Sequence, residues 1–374
     1  MTSRERLLTT IGGKRPDRVP VVVSRNLLGR NVFTEAESYR ALVAHARSRA
    51  DMLFKVHAGT IRYLDPYPRF NPNMQVEIDD RGEGGRLVTL QTPRGPLYKE
   101  TKTVPGTVAE VLTVTTRHFI MEKEDIDRYL SIPYEPFDIG LDEVKEAMDM
   151  TGTGGVVQVS LWDAVGAVCD QIDPVQFAVW SVTDRPMIKR FVNIMHRRIA
   201  GELRRFLDAG TGELFLFNGP EYVIPPSQPP NFFDEFVTPY DDELNGMIHR
   251  HGKLSAAHCH GKTANFIDKF IDMGFDAIHP LEPPPSGDVD TGRWKKRHGK
   301  VCFIGNIEYT ELSELTENEI RTRVRRLIGE VGGDGGLIVS PCSGLYELPF
   351  PEKTSRNYIA MIDAALEYQS CGSS

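Results

Sequence analysis

Short apolar runs recur along this chain with room for about one helix between successive runs, and that rhythm constrains the fold more than any other feature. The runs are Val19–Val23, Asp51–Val56, Gly155–Ser160, Glu213–Phe217, Leu254–His258, Asp276–His279, Val301–Ile304 and Gly336–Ser340. Each is rich in Val, Ile, Leu or Phe and bounded by Gly, Pro or polar residues, as strands buried on both faces are. Helical stretches lie between them. One opens at Asp173-Pro174 and runs to Gly210, with a break at Asp184-Arg185-Pro186. Others cover Phe232–Arg250, Thr263–Met273, Thr316–Val331 and Pro351–Tyr368; Thr316-Glu317-Asn318-Glu319 has the spacing of a capping box. Alternating strands and helices imply parallel pairing with right-handed crossovers. Eight such units predict a (β/α)8 barrel, with a doubly wound open sheet as the competitor.

One segment breaks the rhythm. Met74–Ile78, Arg86–Gln91 and Leu97–Thr103 are separated by the turns Asp79-Asp80-Arg81-Gly82 and Thr92-Pro93-Arg94-Gly95. Turns of this composition between alternating runs signal β-hairpins. Residues 74–104 are therefore read as an antiparallel insertion beside the barrel, within a single domain spanning 1–374.

With 374 residues and 40% hydrophobic side chains, the chain can bury a large core without disulfides. Its net charge is −8 and no dense Lys/Arg stripe appears, so nucleic acid is not an expected partner. No run approaches the roughly 18 apolar residues of a membrane span. The N-terminus, Met1-Thr2-Ser3-Arg4-Glu5-Arg6-Leu7, lacks a signal-peptide core, and five irregularly spaced cysteines suit a reducing compartment; a cytoplasmic protein is expected.

Active-site residues of such barrels sit at the carboxyl ends of the strands. The fifth run ends in Ala257-His258-Cys259-His260-Gly261, the eighth in Ser340-Pro341-Cys342-Ser343, and the fourth in Asn218-Gly219-Pro220-Glu221. Side chains alternate along a strand, so His258 and His260 share a face and Cys259 points away. Two imidazoles, a thiolate and a carboxylate would satisfy four-coordinate zinc. Spacing alone favours two hydrogen-bonded histidines and a small core cysteine over a metal site. Other strand-end residues are candidates for lining a substrate pocket: Trp162, by stacking, with His57, His279, Asn306 and Tyr346. Arg25 could hold a substrate carboxylate.

Several stretches resemble the uroporphyrinogen decarboxylase superfamily. They are His258-Cys259-His260-Gly261, Gly274-Phe275-Asp276-Ala277-Ile278-His279-Pro280-Leu281-Glu282-Pro283-Pro284, Ile304-Gly305-Asn306-Ile307, Pro341-Cys342-Ser343 and Phe233-Asp234-Glu235-Phe236-Val237-Thr238-Pro239-Tyr240. The resemblance implies a (β/α)8 barrel. One branch, the metal-free decarboxylases, carries Arg-Gln-Ala-Gly-Arg near its N-terminus; here Arg25-Asn26-Leu27-Leu28-Gly29-Arg30 stands instead. The other branch, zinc methyltransferases that work with corrinoid proteins, is closer in motif. It implies a His-x-Cys pair after the fifth strand and a Cys after the eighth. Carried over by position, His258 and Cys342 match, and His260 stands where the family has Cys.

The resemblance thus implies a zinc site of His258, His260 and Cys342, with Glu221 as fourth ligand or proton handler. It implies methyl transfer between a small molecule, here expected to be methoxylated, and a corrinoid (cobalamin) on a partner protein. A neutral imidazole in place of a thiolate leaves more positive charge on the metal, which favours an oxygen-bearing methyl donor. The alternatives are a metal-free decarboxylase or lyase and a non-catalytic binding member. The decarboxylase branch is often dimeric, so a homodimer is also within its range.

Overall fold

A computed structural model describes residues 1–23, 31–57, 73–82, 84–104, 113–135, 140–333 and 335–370. Seven strands form one parallel sheet: β1 (Met52–His57), β6 (Gly155–Trp162), β7 (Leu214–Asn218), β8 (Leu254–Cys259), β9 (Ala277–Pro280), β10 (Cys302–Ile307) and β11 (Leu337–Pro341). Their order in the sheet is their order in the chain. A doubly wound sheet must reverse its order at a switch point, so that competitor is excluded.

The first apolar run behaves differently from expectation. It forms no strand, only a parallel bridge between Val21 and Val339. Pro20 has no N–H to donate, which shortens any ladder there. Its backbone still joins the two edges of the sheet. Val22 N–H donates to the Val339 carbonyl, Val339 N–H to the Pro20 carbonyl, and Asp51 N–H to the Val21 carbonyl, at 2.8–2.9 Å. The sheet is therefore curled and TIM-barrel-like.

Inward-facing side chains are sorted by height. Val156, Leu214, Ala256, Ala277, Cys302 and Ile338 form an apolar layer at the amino ends of the strands. The helix Ser3–Ile11 lies against this layer and contributes buried Leu7 and Ile11 to it. Thr2 caps that helix in a reciprocal box with Glu5. The helix is anchored by Asp51, which is fully buried and accepts from Ser3 Oγ, Arg6, Arg18 and the Val21 N–H. Two positions further up the strands the layer turns polar: Lys55, Gln158, His258, His279 and Ser340 line a small cavity. Outward-facing residues, Val157, Val159, Phe215, Phe217, Ala257 and Phe303 among them, pack under the helices in a second, larger core.

The insertion is an antiparallel sheet of four strands, β2 (Gln75–Asp80), β3 (Gly85–Gln91), β4 (Leu97–Thr103) and β5 (Thr113–Arg117), paired in that order. The last strand was not expected: Thr-Val-Thr-Thr-Arg carries little apolar alternation, and four of its five residues are exposed. Buried Lys99 of β4 reaches Asp170 at 3.5 Å, linking this sheet to the turn after helix Ala164–Cys169. The helix expected over 232–250 is two, Asn231–Phe236 and Thr238–Arg250, because Pro239 opens a new first turn. The break at Asp184 falls between the helices Pro174–Thr183 and Arg185–Asp208.

Candidate active site at the carboxyl ends of the strands

Register places His258 of β8 directly beside His279 of β9, and Asn218 of β7 on its other side. The two imidazoles stack with centroids 4.9 Å apart, and their Nδ1 atoms are 2.7 Å apart. Such a contact contains one proton. A neutral ring has a single N–H, so one of the two rings donates through Nδ1 and the other accepts there. Both rings are held neutral. Burial is the main cause for each, reinforced by the charges of His260 and Lys55, and it pushes His279 down to about 3 and His258 well below its ordinary value.

His260 follows the end of β8, its ring perpendicular to His258 with centroids 4.7 Å apart. Its Nδ1 lies 2.7 Å from Glu282 Oε1, and Glu282 Oε2 accepts from the Gly261 N–H at 2.6 Å. Burial works against a charge on His260, but the Glu282 bond and the Glu282 and Glu221 carboxylates outweigh it and raise its pKa. Burial likewise opposes the Glu282 charge, and the bond to His260 overcomes it and lowers that carboxyl. The two form an ion pair. Cys259 points into the outer core, as alternation requires.

Glu221 follows β7 in the short helix Pro220–Val223, and its carboxylate accepts from the Gly219 N–H. Burial raises its pKa, against the pull of backbone hydrogen bonds and of His260. Gly219 has φ 129°, and a Cβ there would stand 2.2 Å from Asp163 Oδ1, so only glycine permits this turn. Cys342 is buried just past β11; its N–H donates to the Ile307 carbonyl and its thiol contacts Glu308 and the Pro280 carbonyl. Burial and the neighbouring Glu308 and Glu282 carboxylates keep that thiol protonated far above the usual range.

The remaining candidates are dispersed. Trp162 ends β6 and tilts against Tyr222 with ring centroids 6.3 Å apart. Tyr346 packs on Tyr309, which bonds Glu347. The Asn306 amide is spent within the protein. It donates to the Leu281 carbonyl at 3.1 Å and accepts from Arg323 at 2.9 Å. Leu281 is the one described non-glycine residue with positive φ, 59°. A branched residue in that region is strained, and the bond from Asn306 holds it where Glu282 meets His260. His57 ends β1 opposite Ser160, its side chain outside the described residues; Arg25 lies outside them altogether.

Reading only the first residues after each strand passed over Glu282, two residues past β9, and Glu308, the cap of helix Tyr309–Glu314. It also passed over Lys55, a lone cation in an apolar strand, whose inward position follows from alternation with Leu53.

As they stand, no three His, Cys, Asp or Glu side chains among the described residues are gathered into a metal site. The two imidazoles nevertheless fit one. Metal-bound histidines almost always have the second ring nitrogen engaged by a carboxylate or similar partner. The Nδ1 atoms of His258 and His260 are engaged by His279 and Glu282, which leaves each Nε2 for a ligand.

A parallel TIM-barrel-like sheet with ionisable side chains collected at the carboxyl ends of its strands is the architecture of barrel enzymes. Residues 114–368 match the family model described as uroporphyrinogen decarboxylase (URO-D), and the chain belongs to that family. A solved methyltransferase from Methanosarcina mazei is similar in fold, with a TM-score of 0.62 at 15% identity over 98% of this chain and 99% of that one. A mannanase from Bacillus subtilis aligns with a TM-score of 0.43 at 10% identity, over 94% of this chain and 88% of that one. No curated protein matches the sequence. Among the described residues, no helix is long and apolar enough to cross a membrane.

Proposed function

We propose that this chain is a methyltransferase moving a methyl group from a small methoxylated molecule to a corrinoid carried by a partner protein. The segment 19–23 is read as the eighth stave of a (β/α)8 barrel. The site would hold a zinc ion on His258, His260 and Cys342, with Glu221 beside it. The observation that carries this reading is the pair of imidazoles with engaged Nδ1 atoms, set on a fold shared with a methyltransferase. When bound, zinc would polarise the substrate's oxygen.

The chain's own groups do the rest. Glu282 and His279 fix the ring orientations of the two histidines. Glu221, its pKa raised by burial, keeps its proton to higher pH than an exposed glutamate. It would supply that proton to the substrate oxygen that loses the methyl group. Burial and nearby carboxylates hold the Cys342 thiol protonated, so a zinc ion bound there would have to displace that proton, and its affinity would rise with pH. A metal-free decarboxylase or lyase is the second reading, favoured by the existing ion pair between His260 and Glu282.

Metal content by mass spectrometry tests the reading on wild-type protein and on His258→Ala, His260→Ala and Cys342→Ala. About one zinc per chain, lost in each variant, is expected. No zinc in the wild type after zinc is offered would overturn the methyl-transfer reading and leave the second.

A further inference from the structure

His258, His260 and Cys342 would supply three ligands, and zinc in a protein usually takes four. Three carboxylates stand around them. Both oxygens of Glu282 are engaged, one by His260 and one by the Gly261 N–H, and Glu221 accepts from the Gly219 N–H. Glu308 is placed differently. Ile307 at the end of β10 pairs with Pro341 at the end of β11, so the next residue on each strand, Glu308 and Cys342, leave the sheet side by side. The Cys342 N–H, donating to the Ile307 carbonyl at 2.8 Å, holds the two chain ends together. The Glu308 carboxylate accordingly meets the Cys342 thiol.

Glu308 is only 8% exposed, and its Oε1 is buried with no hydrogen-bond partner. The residue caps the helix Tyr309–Glu314 in a reciprocal box with Glu311 and reaches Ser286, yet Oε1 is left over. Glu311, one turn on, has Arg323 as its counter-charge at 2.9 Å; Glu308 has none among the described residues. A buried carboxylate oxygen with nothing to accept is costly, so the place suits a cation that arrives from outside. The thiol at its side adds a sulfur ligand to the carboxylate's oxygen, and zinc takes both kinds.

We infer that Glu308 is the carboxylate ligand of the proposed zinc ion, paired with Cys342 as His258 is paired with His260. This rests on the zinc reading above and goes beyond it, because it moves the fourth ligand from β7 to β10 and leaves Glu221 free to handle the proton. Binding would draw the two pairs onto one ion. Zinc can expand to five ligands, which leaves room for the substrate oxygen.

Competition for zinc against a chelator, and the visible absorption of bound cobalt(II), test the inference in wild type, Glu308→Gln, Glu308→Asp and Glu221→Gln; melting curves confirm that each variant folds. Glu308→Gln keeps the shape and the cap and removes the charge. Glu308→Asp keeps the charge and the cap and withdraws the carboxylate by one carbon. Changing a mere neighbour of a metal ligand costs about 10–100-fold in affinity. Both Glu308 variants should therefore lose about 100-fold or more and shift the cobalt absorption, whereas Glu221→Gln should leave that absorption in place. An unchanged cobalt spectrum in a folded Glu308 variant, whatever its affinity, would overturn the assignment, as would a shift in Glu221→Gln. In either case zinc uptake by the wild type keeps the methyl-transfer reading standing. A wild type that takes up neither metal would overturn both.

Discussion

Replacing Asp241 with Asn should abolish a pH dependence of stability that the wild type carries. Asp241 sits on the helix Thr238–Arg250, fully buried, and neither carboxyl oxygen has a hydrogen-bond partner. Burial pushes its pKa up to about 8. Asp163, also buried and interacting with Asp241, is raised as well. In the unfolded chain an aspartate releases its proton near pH 4. Between about 4 and 8 the folded state therefore holds the extra proton. The stability tied to this group is complete below the lower value and is lost as pH rises towards the upper one. The loss is about 1.4 kcal/mol per pH unit, or roughly 3 kcal/mol from pH 5 to pH 7. Asn has the same shape and no proton to release. Urea unfolding followed by circular dichroism at pH 5, 6 and 7 should show the variant gaining about that amount on the wild type across the range. Groups that do not interact with Asp241 cancel in the difference, and Asp163, relieved of that neighbour, titrates lower in the variant. A difference between the two proteins that is the same at pH 5 and pH 7 would refute the reasoning, because it would mean that Asp241 is ionised in the fold.

Asn306→Ala should leave both the Leu281 carbonyl and an Arg323 N–H without their partner, costing about 1–3 kcal/mol by chemical denaturation. The same variant should free Leu281 and weaken zinc uptake, whereas a merely local packing loss would leave metal affinity unchanged. Asp51→Asn should be the most damaging change at the floor of the sheet, because it leaves buried Arg6 and partly buried Arg18 short of a counter-charge. About 3–5 kcal/mol is expected from the breaking of a buried pair. A change in urea midpoint too small to measure would show that Asp17 alone satisfies Arg6.

Seven of the eight apolar runs coincide with strands of the parallel sheet, each within a few residues of its predicted bounds, because strands buried on both faces must be continuously apolar. The first run was composed like a strand but contains Pro20, and its pairing is decided by the edges it bridges. Its bridge partner Val339 lies more than three hundred residues from Val21 in sequence, a distance local pattern cannot see. Strand β5 was missed for the opposite reason: exposed on an edge, it needs no apolar side chains. At the site, alternation was enough to put His258 with His260 and to turn Cys259 outward. Register between β8 and β9 was needed to bring His279 onto His258. The role of Glu282 depends on one left-handed residue, Leu281, held from another strand by Asn306, and no spacing rule encodes that.

The helix Ser3–Ile11 has a kinetic consequence. With Leu7 and Ile11 packed into the apolar layer at the amino end of the sheet, a substrate of the proposed site would enter from the carboxyl ends of the strands. On the proposed function, a small substrate seated there would have to arrive before a bulky partner docks over the opening, and its product could depart only after that partner withdraws. Turnover would then follow an obligatory order. An excess of the partner should slow the reaction by trapping the small molecule behind it, as a crowd at a single exit delays those already inside.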